Sequence, residues 1–185
     1  MADYTLAANP FPLGGSAPDF NMKGVDGDMH TLADYADKQI LVAAFICNHC
    51  PYVVAYIDRL IALQGEFEAK GVQFIGVNSN DETNYPDDSY ENMIKMVEEY
   101  GLNFPYLRDG DQSVAKAYHA ERTPQIFVFD KERKLQYTGG VDNSCRDPEG
   151  VTETPLKDAL EALTEGLEVP KPEAHSIGCS VKWKV

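Results

Sequence analysis

The chain has 185 residues, 43% of them apolar, and thirty acidic against sixteen basic side chains give it a formal charge of −14. That length suits one domain with a sizeable core, and that charge argues against a nucleic-acid or anionic-membrane surface as a partner. No stretch is apolar for long enough to span a membrane, and the first ten residues carry neither a basic segment nor a long apolar one. A cytoplasmic protein without a secretory signal is therefore expected. Its four cysteines are too few for a disulfide-built fold and would rest mainly as thiols in a reducing cytosol.

Residues 1–19 are rich in Pro, Gly and Ala and read as surface chain, the first part (1–13) as an extended arm. Asp26-Gly27 between Phe20–Val25 and Met29–Leu32 signals a hairpin. Residues 40–46 are apolar without alternation, as in a strand covered on both faces. Residues 50–70 carry Val53, Ile57, Leu60, Ile61, Gln64 and Phe67 at helical spacing, with Gly71 as the stop and Pro51 tolerated in the first turn. A second buried strand over 72–77 leads to a polar loop, 78–90. Ser89 then caps a helix whose Met93, Ile94, Val97 and Tyr100 face inward. A short strand is expected near 104–107 and a short helix from Asp111 to Tyr118. Residues 125–129 and 133–137 pair around Asp130-Lys-Glu. Thr154-Pro155 opens a last helix that buries Leu156, Ala159, Leu160 and Leu163. The tail, 167–185, begins Pro-rich but ends Ile177-Gly-Cys-Ser-Val-Lys-Trp183, an apolar ending expected to pack on the domain.

Cys47-Asn48-His49-Cys50 carries the chemistry. It stands between the strand at 40–46 and the helix that follows, where free N–H groups and the helix dipole favour an anion. A CxxC at such a junction reads as a thioredoxin-like redox motif. Cys47 is expected at the helix start as the attacking thiolate, Cys50 turned inward as the resolving thiol, and His49 as a positive charge lowering the cost of the thiolate. The strand before the motif holds no carboxylate, so proton transfer falls to His49, water or a residue from elsewhere. Zinc needs four ligands, and the chain has no second CxxC; His175-x-x-x-Cys179 alone keeps a metal reading open. No metal or other cofactor is expected.

The motifs carry a family resemblance. Gly15-Ser-Ala-Pro-Asp-Phe20 resembles the opening of the redoxin branch that includes the AhpC/TSA proteins. Phe45-Ile-Cys-Asn-His-Cys-Pro-Tyr-Val53, Thr123-Pro-Gln-Ile-Phe-Val-Phe-Asp130 and Gly178-Cys-Ser-Val-Lys-Trp183 resemble three signatures of one subgroup of it. The resemblance implies an α/β thioredoxin-like fold: a central mixed β-sheet flanked by helices, with an N-terminal hairpin extension and an insert after the second core strand. It also implies a cis Pro124 beside the CxxC, with Thr123 presenting its backbone to a substrate. In a peroxiredoxin, a Thr would stand where Cys47 is and the peroxide-reducing Cys where Cys50 is.

Three functions compete. The leading one is a thiol–disulfide oxidoreductase whose partners are a protein or small-molecule disulfide and a thiol reductant. The second is a thiol peroxidase working through Cys50. The third is a metal-binding or metal-delivery module using Cys47, Cys50 and His49. Arg122 reads as a solvated surface residue, Cys145 as incidental, and Cys179 as a small buried residue unless the tail folds back over the site.

Overall fold

The structure, a computed structural model, describes residues 4–185; residues 1–3 of the expected arm lie outside the described residues. Asn21–Gly24 (β1) and Met29–Thr31 (β2) form the antiparallel hairpin around Asp26-Gly27, Asn21 opposite Thr31. The apolar run Ile40–Phe45 (β3) is buried at every position, and the chain then turns into helix Pro51–Phe67 (α1). Gly71, at φ 81°, supplies the left-handed turn that ends this segment and starts Val72–Asn78 (β4), parallel to β3.

Helix Tyr90–Tyr100 (α2) begins at Ser89, whose side chain accepts the Asn92 N–H. It buries Met93 and Met96, while Ile94 and Val97 reach only its flank. Tyr106–Arg108 (β5) comes slightly later than expected. Helix Ser113–Ala117 (α3) is capped by Gln112 at φ 64°, and Asp111 serves instead as acceptor for the Ser113 N–H at 2.9 Å. Next come Arg122–Thr123 (β6), Gln125–Phe129 (β7) and Leu135–Gly139 (β8). β8 begins two residues later than its apolar pattern suggests because Arg133, at φ 58°, is still in the turn, its N–H bonded to the Asp130 carbonyl. Helix Pro155–Thr164 (α4) buries Leu156, Ala159 and Leu160, and Cys179–Ser180 (β9) ends the list.

Seven strands form one mixed sheet in the order β2-β1-β5-β4-β3-β7-β8. β3, β4 and β5 run parallel to one another, whereas β7 is antiparallel to β3 and β1 antiparallel to β5. The segment between β4 and β7 is the insert, and through β5 it docks the N-terminal hairpin onto the sheet edge. This is a thioredoxin fold.

Alternate residues of β3 feed two cores. Val42 and Ala44 meet Val53, Ile57, Leu60 and Phe67 of α1, Met93 of α2 and Leu156 and Leu160 of α4. Leu41, Ala43 and Phe45 meet Phe20, Val114, Ala115, Tyr118 and Phe127 on the other face. Each wholly buried side chain of this size contributes about 2 kcal/mol of apolar transfer. The consequence for function is a rigid support: β3 delivers the chain to the CxxC with both faces clamped. No helix among the described residues is long and apolar enough to cross a membrane.

Candidate active site

The helix starts later in the motif than expected. Pro51 has no N–H to leave unpaired and a φ already suited to a first helical position, so α1 begins there and Cys50 becomes its N-cap. The expectation that Cys47 stands at the helix terminus is therefore corrected, while Cys50 is turned inward as expected. Cys47 lies in the bend between β3 and α1, and both sulfurs are wholly buried.

Cys50 collects donors. Its hydrogen-bonding contact with Cys47, the Cys179 thiol and the backbone N–H groups of Val53 and Cys179 together outweigh burial and push its thiol down to about 5. Val53 N–H faces the sulfur without closing a full cap hydrogen bond. The Thr123 carbonyl lies 3.3 Å from the same sulfur and accepts from it when it is protonated.

Cys47 meets the opposite surroundings. Its contact with Cys50, its burial and the Asp88 carboxylate all raise its thiol, and only the Thr123 hydroxyl, 3.4 Å away, works the other way. Asp88 is a residue that the sequence did not single out. It is wholly buried and accepts the Asn48 N–H at 2.7 Å and the Asn80 side-chain amide at 2.8 Å. His49 Nδ1 stands 2.6 Å from Asp88 Oδ2, the oxygen that also accepts from Asn80. The two atoms are close but poorly aligned for a hydrogen bond, so the contact is an ion pair when the imidazole is protonated. His49 also stacks on Tyr85, ring centroids 6.0 Å apart. Its nearest polar neighbour is thus Asp88, with the Cys47 sulfur within 4.8 Å. The only signal of Asp88 in the sequence was the acidic content of the 78–90 loop, which reads as solvated surface.

Asn48 is locked as well, accepting the Tyr106 hydroxyl at 2.9 Å and donating to the Asp87 carbonyl at 3.0 Å. Cys47 Sγ, His49 and Asp88 place one ligand atom each within 4.8 Å of one another. These three, not the Cys47–Cys50–His49 set, are the residues that could share a cation.

The Thr123–Pro124 bond is cis, and Thr123 touches both motif sulfurs. Above it lies the tail. β9 pairs antiparallel with β6, Cys179 opposite Thr123, and brings Cys179 Sγ to 3.0 Å from Cys50 Sγ. Burial first, then the hydrogen bond to Cys50, push the Cys179 thiol up to about 11. Cys145 is buried elsewhere; its loop is held by Arg59, which donates to the Ser144 and Cys145 carbonyls. Arg122 is half-buried on β6 and makes no contact with either motif sulfur in the hydrogen-bond network.

A thioredoxin fold with a dithiol at this strand–helix junction defines an oxidoreductase. The AhpC/TSA family matches residues 13–138, and the chain belongs to it. It is similar to an uncharacterized conserved protein of Geobacillus kaustophilus, 44% identical with a TM-score of 0.90 over 98% of this chain and 97% of that one. It is also similar to the hypothetical protein SMc02350 of Sinorhizobium meliloti, 37% identical with a TM-score of 0.92 over 98% and 100%. Among functionally described relatives, the thiol-disulfide oxidoreductase ResA of Geobacillus thermodenitrificans is 28% identical over 72% of this chain and 75% of its own length.

Proposed function

We propose that the protein exchanges disulfides through a Cys47–Cys50 couple in which Cys50 attacks and Cys47 resolves, the reverse of the order first expected. The observation that carries this reading is the placing of Cys50 at the α1 N-cap with donors around its sulfur, against Cys47 beside a buried carboxylate. The Cys50 thiolate attacks a substrate disulfide, forming a mixed disulfide and releasing one substrate thiolate, which takes a proton from water. Cys47 then loses its proton toward the Asp88 carboxylate, within 4.8 Å of its sulfur, and attacks the Cys50 sulfur. This frees the second substrate thiol and leaves Cys47–Cys50 oxidised, to be reset by a cytoplasmic thiol reductant. Substrates are disulfides of proteins or small molecules; Thr123 and Pro124 form the wall against which they bind.

Brief alkylation of reduced protein near neutral pH, followed by peptide mapping, tests the order. Label is expected on Cys50 first, and Cys50→Ser should abolish exchange. Preferential label on Cys47 would restore the opposite order. A peroxidase reading draws on the same N-capping thiol, because a low-pKa Cys is also what peroxide attacks. It requires Cys50 sulfenylation by peroxide to outrun disulfide exchange, which a competition between the two oxidants measures.

A further inference from the structure

We propose that Cys179 is a third redox-active thiol, which exchanges with Cys50 to carry the disulfide from the buried motif to the protein surface. The inference rests on the reading of Cys50 as the exchanging thiol and adds a step to it. Cys47 and Cys50 are wholly buried while the tail is in place, so a substrate or any soluble thiol reaches them only with the tail displaced, and a thiol at the surface is what can pass the disulfide on once the tail has returned. Cys179 is partly exposed and stands 3.0 Å from Cys50 Sγ.

The tail is built to hold that contact. β9 takes the backbone edge of β6 with Cys179 opposite Thr123, and Val181 N–H extends the pairing to the Glu121 carbonyl at 2.9 Å. Gly178 lies so close to the Thr123–Pro124 peptide that a Cβ there would collide with the Thr123 carbonyl. On the near side, Ser176 bridges Thr5 and Ile177 is buried. Farther on, the Lys182 carbonyl accepts from Asp81 N–H and the Gln112 side chain, each at 2.8 Å, and Lys182 N–H donates to Asn80 at 2.9 Å. Anchors on both sides of Cys179 fix its sulfur over the motif. Cys145, by contrast, has its sulfur at 4.0 Å from the Tyr52 carbonyl and makes no hydrogen bond to another thiol.

The exchange balances without a further oxidant. Once a substrate disulfide has been reduced, Cys47–Cys50 holds the two oxidising equivalents. The Cys179 thiolate, its proton passed to solvent, attacks Cys50 Sγ; the Cys50–Cys179 bond forms, the Cys47–Cys50 bond breaks, and Cys47 leaves as a thiolate that is reprotonated. A soluble thiol, as its thiolate, then attacks the sulfur of the partly exposed Cys179 and expels the Cys50 thiolate. A second thiol releases the symmetrical disulfide and restores Cys179. Because β9 occupies the edge of Thr123, a substrate that pairs with that edge as a strand must first displace the tail.

The test uses the full chain with Cys47→Ser, Cys47→Ser/Cys179→Ser, Cys179→Ser and Gly178→Val, all treated with oxidised glutathione and mapped without reduction. In Cys47→Ser a Cys50–Cys179 cross-link is expected, with the Cys50–glutathione adduct clearing at least about tenfold faster than in the double variant, from proximity alone. Cys179→Ser should still form Cys47–Cys50 but be reduced by glutathione more slowly than wild type. Gly178→Val introduced into Cys47→Ser keeps both Cys50 and Cys179 but should lose the cross-link, because the added side chain pushes the tail off the Thr123 carbonyl. A persistent Cys50–glutathione adduct with Cys179 still open to alkylation in Cys47→Ser overturns the proposal. Should wild type form Cys47–Cys50 and reduce substrate while Cys179→Ser matches it at every step, the third thiol falls and the exchange function stands. A wild type that forms no disulfide at Cys50 overturns both.

Discussion

The two ends of one four-residue motif sit in opposite electrostatic settings. On the Cys50 side, a helix terminus and the C-terminal strand turn donors toward the sulfur. On the Cys47 side, the buried Asp88 carboxylate, clasped by Asn48 and Asn80, faces a thiol that has only the Thr123 hydroxyl in its favour. Spacing in sequence is symmetric between the two cysteines, so the asymmetry that decides their roles comes from where the helix begins and from chain segments about forty and 130 residues away. In the proposed mechanism, helix position and long-range partners, more than the residues inside the motif, set which thiol is the nucleophile.

That contrast can be broken most severely at Cys50. Cys50→Ser should reduce disulfide-exchange turnover by at least about a hundredfold, since removing a nucleophile leaves only binding; steady-state assays with a protein disulfide measure it. Cys47→Ser, by comparison, should keep one fast attack and then stall, trapping a stoichiometric mixed disulfide visible by mass spectrometry.

Asp88→Asn probes the other side. It removes the charge that raises Cys47, so the Cys47 thiol should become more acidic by roughly one unit, about 1.4 kcal/mol, while Cys50 changes less. Loss of the His49 ion pair and weaker acceptance from Asn48 and Asn80 should also destabilise the fold, by about 2 kcal/mol on urea denaturation. An unchanged Cys47 titration in a folded Asp88→Asn protein would remove the electrostatic explanation for its quiescence.

The pH dependence of stability follows from the Cys50 shift. Its thiol is lowered to about 5 in the folded protein against about 8.5 in an unfolded chain. Between those values the unfolded state holds the proton that the native state has lost. This group's contribution to the stability of reduced protein is therefore complete above the unfolded value and lost as pH falls toward 5. Chemical denaturation of wild type and Cys50→Ser across this window should show the excess slope only in wild type. His49→Ala is expected to have the smallest effect of all. Its ion-pair partner is Asp88, so exchange rates should change by less than about threefold.

Much of the scaffold was legible from local pattern. The unbroken apolar run at 40–46, the helical spacing after it and the Ser89 and Thr154-Pro155 starts all correspond to elements in place. The boundary errors were small shifts of a terminus: Gln112 for Asp111, Leu135 for Arg133, and above all Cys50 in place of Cys47 at the start of α1. At Cys50 that shift carries chemical weight. Asp88 was illegible because a buried carboxylate in a polar loop has the same composition as a solvated one; only its distant partners Asn48 and His49 distinguish it. The Cys50–Cys179 contact spans most of the chain, and no periodicity encodes such a separation.

The most direct measurement is the ultraviolet thiolate absorbance of the reduced protein against pH, for wild type, Cys47→Ser and Cys50→Ser. The account predicts a thiolate transition well below the ordinary cysteine range in wild type and Cys47→Ser, absent from Cys50→Ser. A low transition that survives in Cys50→Ser and vanishes in Cys47→Ser would contradict it.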